Sequence, residues 1–303
     1  MFIELERNED AWDVILQMGQ DINEWNDPMN VRLLQSSDFY AAQLRAIPER
    51  WDDGMQDVIS HAVLIFNQCR EHLTITPKNY YYSYCFCYLP NIIASFIIDR
   101  TEYMNVSKKE ALVPVAFDLL GNLLHYAEII EEYNPIEGMT SASQGYHNRG
   151  FLYYKLKMWS ESISDYQKAL DARRFIYEHK AQKENKRVIG ETLVNIGAVQ
   201  LELRKENHDI QEQNPIDTAK EALGIYESLY NKDYPVSEVD VYKAKQLLAT
   251  SCYYIGDSEE KQQGLDMMKE IYAWLIKHPN NYYKLSFLGN TVRILKEENI
   301  IQI

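Results

Sequence analysis

The spacing of apolar and polar positions reads as helix over almost the whole chain. Strict alternation bounded by Asn-Gly or Asp-Gly, the mark of a hairpin strand, is absent. Helix starts recur instead. Asp27-Pro28, Thr76-Pro77 and Asn214-Pro215 each set a capping side chain before a proline, whose missing N–H costs nothing in a first turn. Ser107 and Glu110 have capping-box spacing, and Ser258 opens a helix at the Gly256-Asp257 break. Twelve helices follow, near 9–25, 28–46, 49–73, 77–99, 108–133, 142–157, 159–182, 185–205, 215–230, 237–255, 258–277 and 280–298. Pro90 and Pro114 fall inside two of them, where each is expected to kink or divide the helix. The polar run 205–214 reads as a helix end or an exposed loop. Short linkers make successive helices antiparallel neighbours, so the chain is either a bundle or a stack of hairpins. Internal similarity decides between them.

The most telling stretch is Tyr146 to Ala169. Gly150 has Tyr146 four before it and Tyr153 three after, and small Ser162 follows twelve after Gly150. Tyr166 and Ala169 stand four and seven past Ser162, and Trp159 lies at the turn between the two helices. Small side chains at such places let facing helices approach, and aromatics fill the gaps around them. Tyr146, Gly150, Tyr153 and Lys157 form one packing face. The spacing resembles the tetratricopeptide repeat, although Arg149 sits where that family usually has leucine. Weaker copies follow. Leu193, Ile196 and Gly197 pair with Ala219 and Leu223, and Lys245, Leu248 and Ala249 pair with Gly264 and Met268. Leu285, Leu288, Gly289 and Val292 open a truncated copy, and Phe117, Leu120 and Gly121 give an echo. The small residues are 47, 52 and 40 apart, against 34 in the ordinary repeat. This is closer to the longer repeats of kinesin-light-chain-like arrays. The resemblance implies an all-α, right-handed superhelix of antiparallel hairpins over 106–303, with 1–105 a helical cap or degenerate repeats.

Composition narrows the function. Of 303 residues, 46% are apolar and 25% charged, enough for a sizeable core. Glycine (12) and proline (9) are scarce, as suits long helices. The net charge of −14 argues against direct nucleic-acid binding, which needs a basic face. The acidic N-terminus does not read as a signal peptide, and the most apolar stretch, Leu89 to Ile98, is too short for a membrane span. Four scattered cysteines suit a reducing, cytoplasmic setting.

Catalytic and metal motifs are weak. No Gly-x-Ser-x-Gly, Gly-x-x-x-x-Gly-Lys or Gly-x-Gly-x-x-Gly occurs. His125, Glu128 and Glu132 share a helix face but lack a second motif, and read as a solvated surface. Cys85-Phe86-Cys87 reads as buried thiols. Asn105-Val106-Ser107 is a sequon that matters only in a secreted protein. No cofactor or metal is expected, and an enzyme using an unrecognised carboxylate site is the least favoured reading.

The expected function is binding of a protein or peptide. Tyrosine is abundant, 23 of 303, and in the doublets 153–154, 253–254 and 282–283 one ring is expected between helices and the other elsewhere; 80–82, 84 and 88 cover several faces of one helix. Rotating away from the packing face gives His147, Phe151 and Tyr154, with Asn148 beside them. Equivalent places hold Val194, Ala198 and Leu201 with Asn195, then Gln246, Thr250 and Tyr253, then Ser286, Asn290 and Arg293; Lys243 and Gln144 are equivalent one turn earlier. Asparagine suits an extended ligand, since its amide both donates and accepts. The resemblance also brings a basic clamp for C-terminal carboxylates, but few cations fall on this face. The second expectation is a regulator, either a peptide-sensing switch or an acidic inhibitor of a nuclease, protease or transcription factor. The oligomeric state is left open.

Overall fold

The computed structural model describes residues 29–47, 54–73, 83–206, 214–230, 238–278 and 284–301. The helix read at 9–25, the caps Asp27-Pro28 and Thr76-Pro77, and tyrosines 80–82, 282 and 283 lie outside the described residues. Everything described is helix and turn, with no strand among the described residues. The chain divides into two compact units, Met1–Lys157 and Met158–Ile303. The repeat phrase thus thins out at 105/106, while the packing divides at 157/158.

In the first unit, α1 is Met29–Ala46 and α2 is Gly54–His72. A π-helical turn, Tyr84–Tyr88, leads into α3, Leu89–Arg100, and a 3-10 turn follows at Thr101–Tyr103. Two long helices complete it, α4 at Val106–Glu131 and α5 at Pro135–Lys155. The apolar run Leu89 to Ile98 is explained by position: α3 packs against α1, α2, α4 and α5. Leu89, Ile93, Ala94 and Ile97 are completely buried. Phe66 of α2 and Phe86 of the π turn join the same core, and truncating such a ring costs about 3–5 kcal/mol. The buried Arg100 guanidinium lies over the Phe96 ring at 3.7 Å and donates to the Ile47 carbonyl at 3.1 Å, tying the end of α1 to the end of α3.

The two prolines behave differently. Pro90 lies in the first turn of α3 directly after the π turn. The widened turn interrupts the helix read at 77–99 before a residue that cannot continue the hydrogen-bond ladder. Pro114 stays inside an unbroken α4. It is exposed, as is Glu110 one turn earlier, so the carbonyl left without an N–H faces water. Helix α4 is also long and apolar enough to cross a membrane by composition. Its apolar residues form a buried stripe, Leu112, Ala116, Leu119, Leu123, Ala127 and Ile130, against α3 and α5, while Asp118 and His125 are exposed. That is the pattern of a core helix.

Two details correct the sequence reading. Helix α4 is capped by Asn105, which accepts from the Lys108 N–H at 2.9 Å, so Ser107 and Glu110 form no capping box at its start. Helix α5 begins at Pro135 rather than 142, capped by Asn134. The added turns carry a stripe of small buried residues, Gly138, Ser141, Ala142 and Gly145. A Cβ on Gly138 would sit 2.5 Å from the Glu131 backbone, and one on Gly145 would sit 2.5 Å from Leu123. These glycines close the α4–α5 hairpin. Gly121 does not: it is exposed, and nothing stands within 4 Å of a Cβ there. Lys157 is likewise no part of a packing face. It lies beyond α5 at φ 59°, the left-handed turn that ends the helix, with its side chain exposed.

The second unit contains α6 (Trp159–His179), α7 (Lys183–Glu206), α8 (Pro215–Leu229), α9 (Glu238–Ile255), α10 (Ser258–Lys277) and α11 (Lys284–Glu297). Each helix packs on the next, and α7 also touches α9, as α9 touches α11. Next-but-one contact along α7, α9 and α11 makes these the inner row of a stack of hairpins. Caps are as read: Asn214 accepts from the Ile216 N–H at 3.0 Å, and Asp257 with Glu260 forms a full capping box. Gly150, Ser162 and Ala169 are all buried. The α9–α10 copy is sharpest. A Cβ on Gly264 would lie 2.7 Å from the Ala249 carbonyl, and Ala249 and Met268 are completely buried. A Cβ on Gly197 would lie 2.7 Å from the Leu247 side chain of α9, so this glycine sets the approach of two inner helices. Gly289 is exposed with nothing within 4 Å, so the truncated fourth copy lacks a close approach at its small residue.

Between α6 and α7 lies a buried cation. Arg173 donates to the Val188 carbonyl at 2.8 Å and to Thr192 Oγ1 at 2.5 Å, with Glu191 at 3.9 Å. Desolvation lowers its pKa, and the neighbouring carboxylate works against that.

Gly138→Ala and Gly264→Ala should each lower the urea midpoint, because backbone stands where the methyl must go; overpacking costs about 1–3 kcal/mol. Gly121→Ala and Gly224→Ala meet open space, so each should raise stability by up to about 1 kcal/mol through helix propensity. Equilibrium urea unfolding of the four variants checks both signs.

Candidate functional site

The candidate residues fall into two groups, one per unit. On α5, His147, Asn148, Phe151 and Tyr154 are all half-buried. Asn148 is engaged within its own unit: its amide donates to Asn91 Oδ1 at 2.7 Å and to Ser95 Oγ at 2.8 Å, and Asn91 reaches Gln144 at 3.5 Å. Both donors of Asn148 are therefore spent on α3, which weakens it as a clamp for a ligand backbone. Phe151 packs against the core of the first unit, with Lys155 Nζ 5.1 Å from its ring centroid. Phe151 and Tyr154 lie near-parallel at 6.4 Å. Tyr153 packs on Phe117 at 5.1 Å, so the two members of this doublet do point to different neighbours.

In the second unit the candidates fall on the three inner helices, α7, α9 and α11. Asn195 is half-buried on α7, beside Val194 and Ala198, both packed at the edge of a small core. On α9, Lys243 and Gln246 are half-buried, Gln246 Nε2 reaches Thr291 Oγ1 of α11 at 3.5 Å, and Thr250 is buried with its hydroxyl donating to the Gln246 carbonyl. Thr250 thus offers a methyl more than a free hydroxyl. Asn290 and Arg293 are exposed on α11.

The densest chemistry lies where α9 and α11 end. Tyr253 is half-buried, and its hydroxyl donates to Glu298 Oε1 at 2.7 Å. That hydrogen bond and burial push the phenol up to about 12. The same bond, with Lys261 at 3.2 Å, holds the Glu298 carboxyl below its ordinary value. Tyr254 is exposed and takes Arg293 Nη2 at 2.6 Å on its hydroxyl, with Lys205 Nζ 4.6 Å from its ring. The exposed ring of the 253–254 doublet is as expected, while Glu298, Lys205 and Lys261 escaped the sequence reading, because their approach depends on how several helices meet. Lys205, Lys261 and Arg293 are each paired with a carboxylate: Glu202, Glu298 and Glu297. This end of the row is a neutralised aromatic–ionic surface rather than a basic clamp.

The other end of α9 is a second aromatic knot. Tyr242 stacks on Trp274 at 4.4 Å and Trp274 on His278 at 4.7 Å. Glu238 accepts from the Trp274 indole at 3.0 Å and from the Tyr230 hydroxyl at 2.8 Å. These donors lower the Glu238 pKa, Trp274 contributing most. Between α8, α9 and α10, a cavity of about 430 Å³ has Leu248, Cys252 and Met267 as apolar lining, with Lys220, Gln263, Asp266 and Glu270 beside them.

His125, Glu128 and Glu132 are all exposed on α4. Among the described residues, no group of three or more His, Cys, Asp or Glu is placed to hold a metal ion. Cys85 and Cys87 are buried free thiols, as read.

Against known proteins, the fold speaks and the sequence does not. No family model matches the chain, and no curated protein matches it closely. Among solved structures it is similar to BtubC (BKLC) from P. vanneervenii, with a TM-score of 0.60 and 12% identity over 91% of this chain and 92% of that one. BtubC is a kinesin light chain-like helical protein of tetratricopeptide type. The likeness shows a TPR-like, all-α helical-repeat fold.

The Glu238 shift has a signed consequence. A carboxyl held below its ordinary 4.5 lends stability above that pH and loses it as pH falls through the lowered value. Glu238→Gln should therefore be less stable than the parent at neutral pH, and the gap should close on acidification. Urea unfolding followed by tryptophan fluorescence across the acid range checks this.

Proposed function

We propose that the protein is a non-catalytic scaffold or adaptor that binds a protein or peptide segment along the inner row α7, α9 and α11. The single observation that carries this reading is the inner row itself. It sets amide, cationic and aromatic groups (Asn195, Lys243, Gln246, Tyr253, Asn290 and Arg293) along three helices that pack side by side. A row of this kind offers an extended chain hydrogen-bond partners at a helical repeat and rings for its side chains. The TPR-like fold is consistent with such a role, though fold alone assigns none. In this proposal the partner is neither nucleic acid nor membrane, no cofactor takes part, and the setting is cytoplasmic.

A second reading rests on the net charge of −14: a regulator that covers a basic surface of its partner. Salt separates the two. A charge-driven complex weakens steeply between low and high ionic strength, whereas a peptide held by amides and aromatics weakens little.

Photo-crosslinking side chains placed at Val194, Ala198 or Asn290 should capture the partner in cell extract. The same groups at Glu221 or Asp266, on the outer helices, should not. Asn195→Ala and Gln246→Ala should each weaken a captured peptide several-fold, about 1 kcal/mol, the usual net worth of one hydrogen bond. Capture at the outer positions alone, or unchanged affinity in both variants, would exclude the inner row.

A further inference from the structure

The first unit holds a pair of sulfurs that the binding function does not use. Cys69 lies on α2 and Cys85 in the π turn before α3, and both side chains are completely buried. Both sulfurs stand beside one hydroxyl. From α1, Ser37 Oγ stands 3.5 Å from Cys69 Sγ and 3.4 Å from Cys85 Sγ, and is itself completely buried. Three helical segments thus converge on two adjacent sulfurs in an otherwise apolar core. The remaining cysteines are differently placed. Cys87, from the same turn, has its sulfur 3.8 Å from the Leu123 carbonyl of α4, and Cys252 belongs to the second unit.

We propose that Cys69 and Cys85 are a modification site, a dithiol that closes reversibly into a disulfide under a hydroperoxide and ties α2 to the π turn. Cys69 is the attacking sulfur. The neighbouring Cys85 and Ser37 groups favour its thiolate and hold it below the ordinary thiol value, while Cys85 is pushed up by that same neighbour and by burial. The Cys69 thiolate attacks hydrogen peroxide, the O–O bond breaks, and the leaving hydroxide takes a proton to become water. The product is Cys69 sulfenic acid. The Cys85 sulfur then attacks the sulfenic sulfur. An S–S bond forms, the S–O bond breaks, and the departing hydroxide takes the Cys85 proton as a second water. Two electrons pass from the thiol pair to the peroxide, and an external dithiol returns them by exchange. Because both sulfurs are buried, the reaction waits on local opening, and it runs more slowly than at an exposed thiol.

The experiment uses the full chain with hydrogen peroxide as the probe. After quenching, the protein is denatured, free thiols are alkylated, and an unreduced digest is read by mass spectrometry. The expected result is two alkylatable thiols instead of four, an intact mass lower by two hydrogens, and one linked peptide pair joining Cys69 to Cys85. Dithiothreitol restores all four. The oxidised form should melt several degrees higher, and this shift should vanish in Cys85→Ser. Linkage in the parent protein is read without any variant, so a variant that fails to fold leaves the test intact. Four thiols surviving peroxide, a bond that joins Cys87 or Cys252 instead, or sulfinic acid formed without a disulfide would each overturn the proposal.

Discussion

Close approach of helix axes governs this molecule. Where a side chain is missing, backbone fills the space: Gly138 against Glu131, Gly264 against the Ala249 carbonyl. At Gly145 and Gly197 leucine side chains come into the same gap. Each contact brings two long helices near enough for their flanking leucines and aromatics to interlock. Dispersion falls off so steeply with distance that a gap of half an ångström forfeits a large part of it. Helices of 12 to 26 residues owe their stability mainly to packing of this kind rather than to intrinsic propensity.

The two units use that constraint differently. The first wraps four helices around α3, an apolar segment buried on most of its surface, with Asp99 exposed near its end. Buried polar groups there, such as Ser37, Asn91 and Arg100, hydrogen-bond to neighbours within the unit, which offsets part of the cost of burying them. The second stacks hairpins, and its inner helices touch next-but-one. That arrangement sets α7, α9 and α11 side by side. The same geometry that builds the core therefore supplies the surface on which polar and aromatic groups are displayed.

The repeat was legible where small residues and their aromatic company occur together. Gly150, Ser162 and Ala169 are buried, and the Ala249–Gly264 pairing has the contact its spacing implied. Where only part of the phrase was present, spacing misled: Gly121 and Gly289 face open space. The start of α5 was missed although Asn134-Pro135 carries the same cap signal as Asn214-Pro215. The small and polar residues after it have no apolar period, and their burial arises only from the helix they face. For the candidate site, Asn148 looked free on its helix and proved to be spent on α3. Lys205 and Glu298 went unread, because their approach to the row depends on where separate helices end.

Sequence alone therefore determined the helical class, most helix limits, and the small residues at which two helices of a hairpin can nest. All of these are local consequences of capping chemistry and a period of 3.6 residues. Tertiary structure decided which polar side chains are consumed inside the units, which tyrosine of a doublet is covered, and which cysteines border the same hydroxyl. Those outcomes depend on contacts between residues far apart in the chain, and no local spacing encodes them.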